Sequence, residues 1–267
     1  MADSIKLVAL DIDGTLLEPG APYDALPDQP LVDAVQALHD SGIVVVLATG
    51  RMYPGTAPIA KRLGITEPVV CQQGASIHHG NGDLIQGYAI DQEIALELYE
   101  YAVENHYSVA WFDHKRYLVT ALTPAVEFFA GVSGVKPELT SAPHHSGVRA
   151  TGIDIVSNLE ESSHVHRLFE ARHGSRIALL DFPTVTAFHA PEASKGNALH
   201  KIAEERGIQP SEVLAIGDGI NDVSMLDWAG YSATPAHGDD FAKETAKEVL
   251  TTPGVAGVVE RLRAVVA

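Results

Sequence analysis

Cysteine is almost missing from this chain: Cys71 stands alone among 267 residues. An intramolecular disulfide is therefore excluded, and so is a cysteine-rich zinc site. Long apolar runs are missing as well. No stretch approaches the ~20 apolar residues that a membrane-spanning helix needs. The first residues, Met1-Ala2-Asp3-Ser4-Ile5-Lys6, lack the basic and apolar regions of a secretion signal. The expected location is the cytoplasm. Basic residues are scarce: 18 Lys and Arg face 35 Asp and Glu, for a formal net charge of −17. A general attraction to nucleic acid or to an anionic membrane is not expected of such a chain. The same acidity repels anionic small molecules at long range. A phosphate ester would need a metal ion and a few cationic side chains to reverse the field locally. No internal repeat and no low-complexity segment occurs.

What is present is an ordinary packing composition, 46% hydrophobic, long enough for one large domain or a core with a smaller companion. Ile5 to Leu10 reads as a buried strand and runs straight into Asp11-Ile12-Asp13-Gly14-Thr15. In an extended strand Asp11 and Asp13 would share a face. Gly14 permits a sharp turn that swings Asp13 away from Asp11. Two carboxylates that close repel unless a cation neutralises them or one holds a proton. Taken alone, the stretch is also compatible with a surface turn carrying two solvated acids.

The chain then alternates. Asp28 and Pro30 mark a helix start, Leu31, Val32, Val35 and Leu38 recur at helical spacing, and Gly42 ends the helix. Ile43 to Ala48 is a second apolar strand ending in Thr49-Gly50-Arg51. A short helix over 54–63 and a strand over 68–71 follow. This order argues for a parallel sheet with right-handed crossovers. From about residue 83 to 188 the texture changes to hairpins mixed with helices, the pattern of a small α+β unit. The alternation resumes with a helix over 194–206 and a strand over 213–216 that ends in Gly217-Asp218-Gly219-Ile220-Asn221-Asp222. A helix through Met225 and Leu226, a strand near 230–233 and helices over 239–247 and 255–265 close the chain. The expected fold is α/β: a doubly wound parallel-sheet core, residues 1–82 and 189–267, with an inserted α+β unit at 83–188.

In a parallel sheet the three polar strand ends meet at one edge, where open α/β sheets bind ligands. Asp11, Asp13, Asp218 and Asp222 then form a carboxylate cluster that is costly without a cation, and an all-oxygen site suits Mg²⁺. Lys195, near a helix start, is poorly placed for the helix dipole unless it reaches an anion. Thr49 offers a hydroxyl and, with Gly50, backbone N–H groups.

These motifs, Asp11-x-Asp13-Gly14-Thr15, Thr49-Gly50-Arg51, Ser194-Lys195-Gly196 and Gly217-Asp218-x-x-Asn221-Asp222, resemble the four ordered motifs of the haloacid dehalogenase (HAD) superfamily phosphatases. The insertion resembles the cap of the type IIB, Cof-like branch, which contains many sugar phosphatases. The resemblance implies a phosphomonoester hydrolase acting through an aspartyl-phosphate on a small phosphorylated metabolite, most simply a sugar phosphate. It implies Asp11 as nucleophile, Asp13 as general acid and base, and Thr49, Gly50, Lys195 and Asn221 around the phosphoryl group. Mg²⁺ would be held by the carboxylates of Asp11 and Asp218 and the backbone carbonyl of Asp13. Asp222 would orient a metal-bound water or Lys195, and Asn221 would orient Lys195 or the phosphate. A phosphomutase using the same intermediate is the alternative within the enzyme class; a crevice that senses a phosphometabolite without turning it over is the alternative outside it. Expected partners are the small substrate alone, with no nucleic acid and no membrane, in a monomer or small homo-oligomer.

Some residues depart from the family pattern. Gln72-Gln73-Gly74 stands where relatives carry Asn-Gly, and Gln73 is a candidate substrate contact or a plain loop residue. His189 and His237 lie near the expected mouth. His78-His79 and His144-His145 read as ordinary loop or strand residues, Arg51 as the partner of an acid, Trp111 and Phe112 as cap core with one of them free to line the substrate face, and Cys71 as a small buried apolar residue.

Overall fold

The computed structural model describes residues 5–267; the reading of residues 1–4 as lacking a secretion signal lies outside them. Strands follow the apolar runs: β1 (Leu7–Leu10), β2 (Val44–Leu47), β3 (Val69–Cys71), β4 (Ser76–His78), β5 (Leu84–Gly87), β6 (Ser108–Phe112), β7 (Tyr117–Val119), β8 (Pro137–Leu139), β9 (Gly152–Val156), β10 (Ala178–Phe182), β11 (Val185–His189), β12 (Val213–Ile216), β13 (Tyr231–Thr234) and β14 (Glu248–Val249). Helices are α1 (Gln29–Asp40), α2 (Tyr53–Arg62), α3 (Gln92–Glu104), α4 (Pro124–Ser133), α5 (Ser162–His173), α6 (Lys195–Glu204), α7 (Val223–Trp228), α8 (Asp240–Thr245) and α9 (Gly254–Val266).

The first sheet is all parallel in the order β14-β13-β12-β1-β2, and a parallel bridge between Ala48 and Val70 brings β3 against β2. The chain winds outward from β1 twice, once through β2 and β3 and once through β12 to β14. The carboxyl end of β1 is therefore the switch point of a doubly wound sheet. Alternate residues of β1 serve opposite faces. Val8 and Leu10 pack with α1 and α9, while Leu7 and Ala9 pack with α6 and α7. Burial on both faces explains why the strand reads as an unbroken apolar run, and each Leu or Val so buried contributes about 1.5–3 kcal/mol. Asp28 caps α1 by accepting from the Leu31 amide, with Pro in its first turn.

The second sheet, β10-β11-β9-β6-β7-β8, is antiparallel except for the β7–β8 pair. One face carries Val109, Trp111, Ile153, Ile155 and Phe188 into a core with α3 and α5. The other face turns toward the carboxyl edge of the parallel sheet. The α/β fold with an inserted α+β cap is as the sequence patterns require. The expected boundary at 83 falls inside the β4–β5 hairpin, which is hydrogen-bonded to β3, and β11 carries the second sheet as far as His189.

Helix α4 and strand β8 lie in a stretch to which the sequence reading assigns no element. The start of α4 is nevertheless well marked: the Thr123 hydroxyl accepts from the Val126 amide and Pro124 opens the helix. Its apolar residues have no clean polar stripe to set against them, because α4 packs on both sides. It meets the second sheet through Val126 and Ala130 and meets α2 at Gly55, where a side-chain carbon would lie 2.2 Å from the Val132 carbonyl oxygen. The helix expected over 239–247 stops at Thr245, and Glu248–Val249, to which the sequence pattern assigns no element, pair with β13 as β14. Among the described residues no helix is long and apolar enough to cross a membrane.

Candidate active site

Strand β1 ends at Leu10, and the next residues fold back tightly: the Ile12 carbonyl accepts from the amides of Thr15, Leu16 and Leu17. Gly14 sits at φ +81 in this turn. A side-chain carbon there would come within 2.0 Å of Asp218 Oδ2, so glycine is required both by the backbone angle and by the approach of Asp218. The turn separates the two acids. Asp11 is 3% exposed and faces inward. The Asp13 side chain is 51% exposed and forms a two-pronged pair with Arg51, whose Nε donates to Asp13 Oδ2 at 2.8 Å and Nη2 to Oδ1 at 2.5 Å. The expected pairing of Arg51 with an acid is observed, and the acid is Asp13.

Ser194 caps α6 by accepting from the Asn197 amide, and this places Lys195 in the first turn, aimed at the sheet edge. Its ammonium is fully buried and donates to Asp11 Oδ1 and to Asp222 Oδ1, each at 2.6 Å. Burial acts to lower the lysine pKa, but the two carboxylates outweigh it and hold the ammonium above its ordinary range. Asp11 moves the same way for a different reason: burial, then repulsion from Asp222, push its carboxyl well above the usual range, with Lys195 only partly offsetting them. Asp218 is raised to about 6 by burial and by Asp222. One cation thus serves three carboxylates, Asp11, Asp218 and Asp222, whose oxygens lie within 4.8 Å of one another. That surplus of negative charge is what an all-oxygen cation site provides.

The three acids are not equivalent. Asp222 has both oxygens engaged, Oδ1 by Lys195 and Oδ2 by the amides of Asp218 and Gly219. It is the orienting group for Lys195. Asp11 keeps Oδ2 free of protein partners among the described residues, and Asp218 accepts only a long contact of 3.4 Å from Thr15. Of the two roles expected of Asn221, orienting Lys195 is not seen among the described residues: its side-chain amide donates to Gln73 Oε1 at 3.1 Å, and the residue lines the cavity with Asp11. The two carboxylates that hold Lys195 are stronger acceptors than a neutral amide. Thr49 is buried, and its hydroxyl oxygen accepts from the Arg51 amide, so its proton is available to a ligand.

Gln73 adopts φ 59 and Gln72 φ 52, left-handed angles that are uncommon outside glycine. The loop can hold them because both side chains are anchored. Gln72 donates to the Asp113 carbonyl and accepts from Thr151, which stitches the parallel-sheet edge to the second sheet. Gln73, with Gly50 and Asn221, lines the cavity. The motif loop after β12 is tied down by Asp239, which accepts from the Ile220 amide.

A cavity of about 490 Å³ opens over these groups. Asp11, Asp13 and Asp218 line its floor, and the second sheet supplies Phe112, Asp154 and His189 opposite. Of the aromatic pair, Trp111 belongs to the core with its indole N–H donated to the Val148 carbonyl, and Phe112 lines the cavity. His189 also lines it. Burial lowers its pKa to about 4, and the neutral ring donates Nδ1–H to the Thr151 carbonyl at 3.0 Å. His237 donates to the Gly14 carbonyl at 2.6 Å and does not line the cavity. His78 stacks on Tyr53, and Cys71 is fully buried with its thiol pushed up to about 12 by burial.

Asp154 escaped the sequence reading. The available signal was a single acid inside Gly152-Ile153-Asp154-Ile155-Val156, a strand otherwise suited to burial. Burial raises its carboxyl to about 7. The folded state therefore holds a proton that the unfolded chain releases near pH 4. The stability gained from that proton is complete below the ordinary carboxylate range and is lost as pH rises to about 7. Asp154→Asn is expected to raise the thermal midpoint at pH 8 by several degrees (on the order of 5 °C) and to leave it unchanged near pH 4. Melting curves across that range check the slope; equal shifts at both ends would contradict it.

Comparison with known proteins agrees with the geometry. The profile of the haloacid dehalogenase-like hydrolase family matches residues 8–262. A putative phosphatase of Haemophilus influenzae is 26% identical over 255 residues, 91% of this chain and 90% of that protein. A phosphoglycolate phosphatase of Aeropyrum pernix is 27% identical over 273 residues, 99% of this chain and 95% of that protein. Among solved structures, a haloalkanoate-superfamily phosphatase from Bacteroides thetaiotaomicron superimposes with a TM-score of 0.82 at 26% identity, covering 98% of this chain and 95% of its own. The matched span includes every motif at the sheet edge, and the chain belongs to the haloacid dehalogenase-like hydrolase family as one of its enzymes.

Proposed function

We propose that the protein is a phosphatase that hydrolyses a small phosphate monoester, with Asp11 as the nucleophile and Mg²⁺ as its metal. The observation that carries this reading is the fully buried Lys195 ammonium, clamped between Asp11 and Asp222 with Asp218 alongside. Lysine is almost never fully buried unless it is paired, and here the carboxylates around it outnumber it three to one.

Asp11 Oδ2 attacks phosphorus while Oδ1 stays on Lys195. The new O–P bond forms an aspartyl-phosphate and the ester O–P bond breaks. Asp13 gives its proton to the departing alkoxide. It then takes one from the water that cleaves the aspartyl-phosphate, which regenerates Asp11 and frees inorganic phosphate. For this one Asp13 oxygen must turn from Arg51 to the ester while the other keeps the pair, and the exposure of the side chain leaves room for that movement. Lys195 and the Thr49 hydroxyl, with the backbone at Gly50, balance charge on the phosphoryl oxygens. Asn221 and Gln73 border the same space.

The donor set fits a hard divalent cation, which the carboxylates of Asp11 and Asp218 and the backbone carbonyl of Asp13 would hold. Such an ion supplies neutralisation of phosphoryl charge. Saturating Mg²⁺ is expected to raise the thermal midpoint, by about 2.7 kcal/mol of added stability at a hundredfold excess over its Kd, and Asp218→Asn is expected to remove the shift. Calorimetry with and without chelator reads both.

The second sheet roofs the cavity, which favours a small metabolite over a polymer, and a sugar phosphate is the substrate class proposed. Location in the cytoplasm is part of the same reading. Release of inorganic phosphate from a panel of phosphorylated sugars, acids and nucleotides in Mg²⁺ tests it. Turnover that survives exhaustive chelation would remove the metal, and transfer to a second metabolite in place of phosphate release would make the enzyme a mutase.

A further inference from the structure

The roof of the cavity holds a charged group that the hydrolytic chemistry does not use. Asp154 lies midway along β9, on the face turned away from the Ile153 and Ile155 core. Its neighbours across both adjacent strands are Ala110 and Ala187. These small neighbours leave the carboxylate open to the cavity, where the Tyr117 phenol is near enough to feel its charge. Phe112 and His189 stand at its edge, one register step away, opposite Gly152. Asp154 is 8% exposed yet lines the cavity that Asp11 and Asp218 also line. Burial alone sets its ionisation; no hydrogen bond and no neighbouring cation acts on it among the described residues. A carboxylate held that deep without a partner is costly, and the cost is relieved by a ligand that brings hydrogen-bond donors or positive charge.

The charges of the rest of the cavity point the same way. Its acids are Asp11, Asp13, Glu18, Asp154 and Asp218. Arg51, its strong base, is occupied by Asp13, and His189 is neutral with its Nδ1–H already donated. Beyond the phosphoryl site, a second anionic group on the substrate finds no free cation among the described lining residues. The walls between roof and floor are apolar, with Met52, Phe112, Phe129 and Phe182. A leaving group that fits carries an apolar or ring-shaped body and an amine.

We infer that Asp154 is the specificity residue of the cap, and that it selects phosphate monoesters whose leaving group bears an amino group over those with a hydroxyl or a carboxylate at that place. This rests on the phosphatase reading and names its substrate class. A leaving-group carboxylate, as in phosphoglycolate, is rejected because it would face Asp154 across a cavity with no cation to spare.

The test compares kcat/KM for matched pairs: glucosamine 6-phosphate against glucose 6-phosphate, and pyridoxamine 5′-phosphate against pyridoxine 5′-phosphate. Phosphoglycolate is assayed beside them. The wild-type enzyme is expected to favour the amine in at least one pair by roughly tenfold, the gain from a charge-assisted contact in a desolvated site, and to turn over phosphoglycolate worst. Asp154→Asn, which keeps the shape and removes the charge, is expected to bring the ratio to within about twofold, mainly through KM. Because the ratio is taken within one variant, a general loss of activity cancels. The inference is overturned if the wild type shows no amine preference in either pair, if phosphoglycolate is among its best substrates, or if the preference persists in both Asp154→Asn and Asp154→Ala. The wild-type comparison decides the matter even if a variant misfolds. Absence of phosphate release from every ester, p-nitrophenyl phosphate included, would instead overturn the phosphatase reading itself.

Discussion

Asp11→Asn is expected to abolish phosphate release, by roughly 10³-fold or more, while the protein stays folded. Loss of activity follows from the chemistry: an amide does not attack phosphorus, and the groups left behind can only bind and polarise the ester. Retention of the fold follows from the electrostatics. Asp11 is buried against Asp222 and Asp218, and repulsion from Asp222 adds to burial in raising its pKa. Removing its charge relieves that repulsion, and the amide oxygen can still accept from Lys195, which keeps Asp222 as its counter-ion. In chelator the variant should melt no lower than the wild type at neutral pH. At acid pH, where Asp11 is protonated in both states, the two should converge, because the penalty removed is one that grows as pH rises through the raised pKa. Phosphate release and thermal midpoints in the same buffers check both halves. Substantial turnover by the variant would sink Asp11 as nucleophile. A variant that fails to fold would show that the carboxylate, and not merely an acceptor, is required by the cluster.

Lys195→Met is expected to be the most damaging single change to stability, about 3–5 kcal/mol, and to reduce turnover by ~10²–10³-fold. The ammonium has no exposure and two short ion pairs. Its removal leaves Asp11 and Asp222 facing each other with no cation between them. Asp222 can reorganise little, because its second oxygen is fixed by the amides of Asp218 and Gly219. The variant should therefore show a steeper fall of stability with rising pH than the wild type, since its carboxyls fold more readily when protonated. Mg²⁺ should recover part of the lost stability without restoring the rate, because the ion supplies charge but not the donor that Lys195 presents. A chemical denaturation series at two pH values, with and without Mg²⁺, reads all three effects. Wild-type stability at pH 8 in chelator would show that the lysine is dispensable to the cluster.

The catalytic half of this molecule was legible because its chemistry sits at strand ends. Each β-strand that carries a motif is a short apolar run buried on both faces, and periodicity marks it without knowledge of the tertiary fold. The glycines and caps beside the motifs, such as Gly14 and Ser194, are local devices that act within a few residues. The cap was legible as a class of structure and no further. Helix α4 was passed over because it packs on two sides and shows no clean stripe. Asp154 was passed over because a lone acid in a strand acquires meaning only when its neighbours across β6 and β11 are known to be alanines.

Sequence alone determined the α/β alternation, the convergence of Asp11, Asp13, Thr49, Lys195, Asp218 and Asp222 on one sheet edge, and the family those residues resemble. These follow from patterns along the chain and from the rule that parallel strands end on one side. Only the tertiary structure decided how the cluster divides its labour. That Asp13 turns out to Arg51, that Asp222 spends an oxygen on Lys195, and that Asn221 pairs with Gln73 depend on which side chains meet across 27 to 148 residues of chain. Such meetings are set by the packing of layers, and packing is a property of the assembled fold and not of any segment of it.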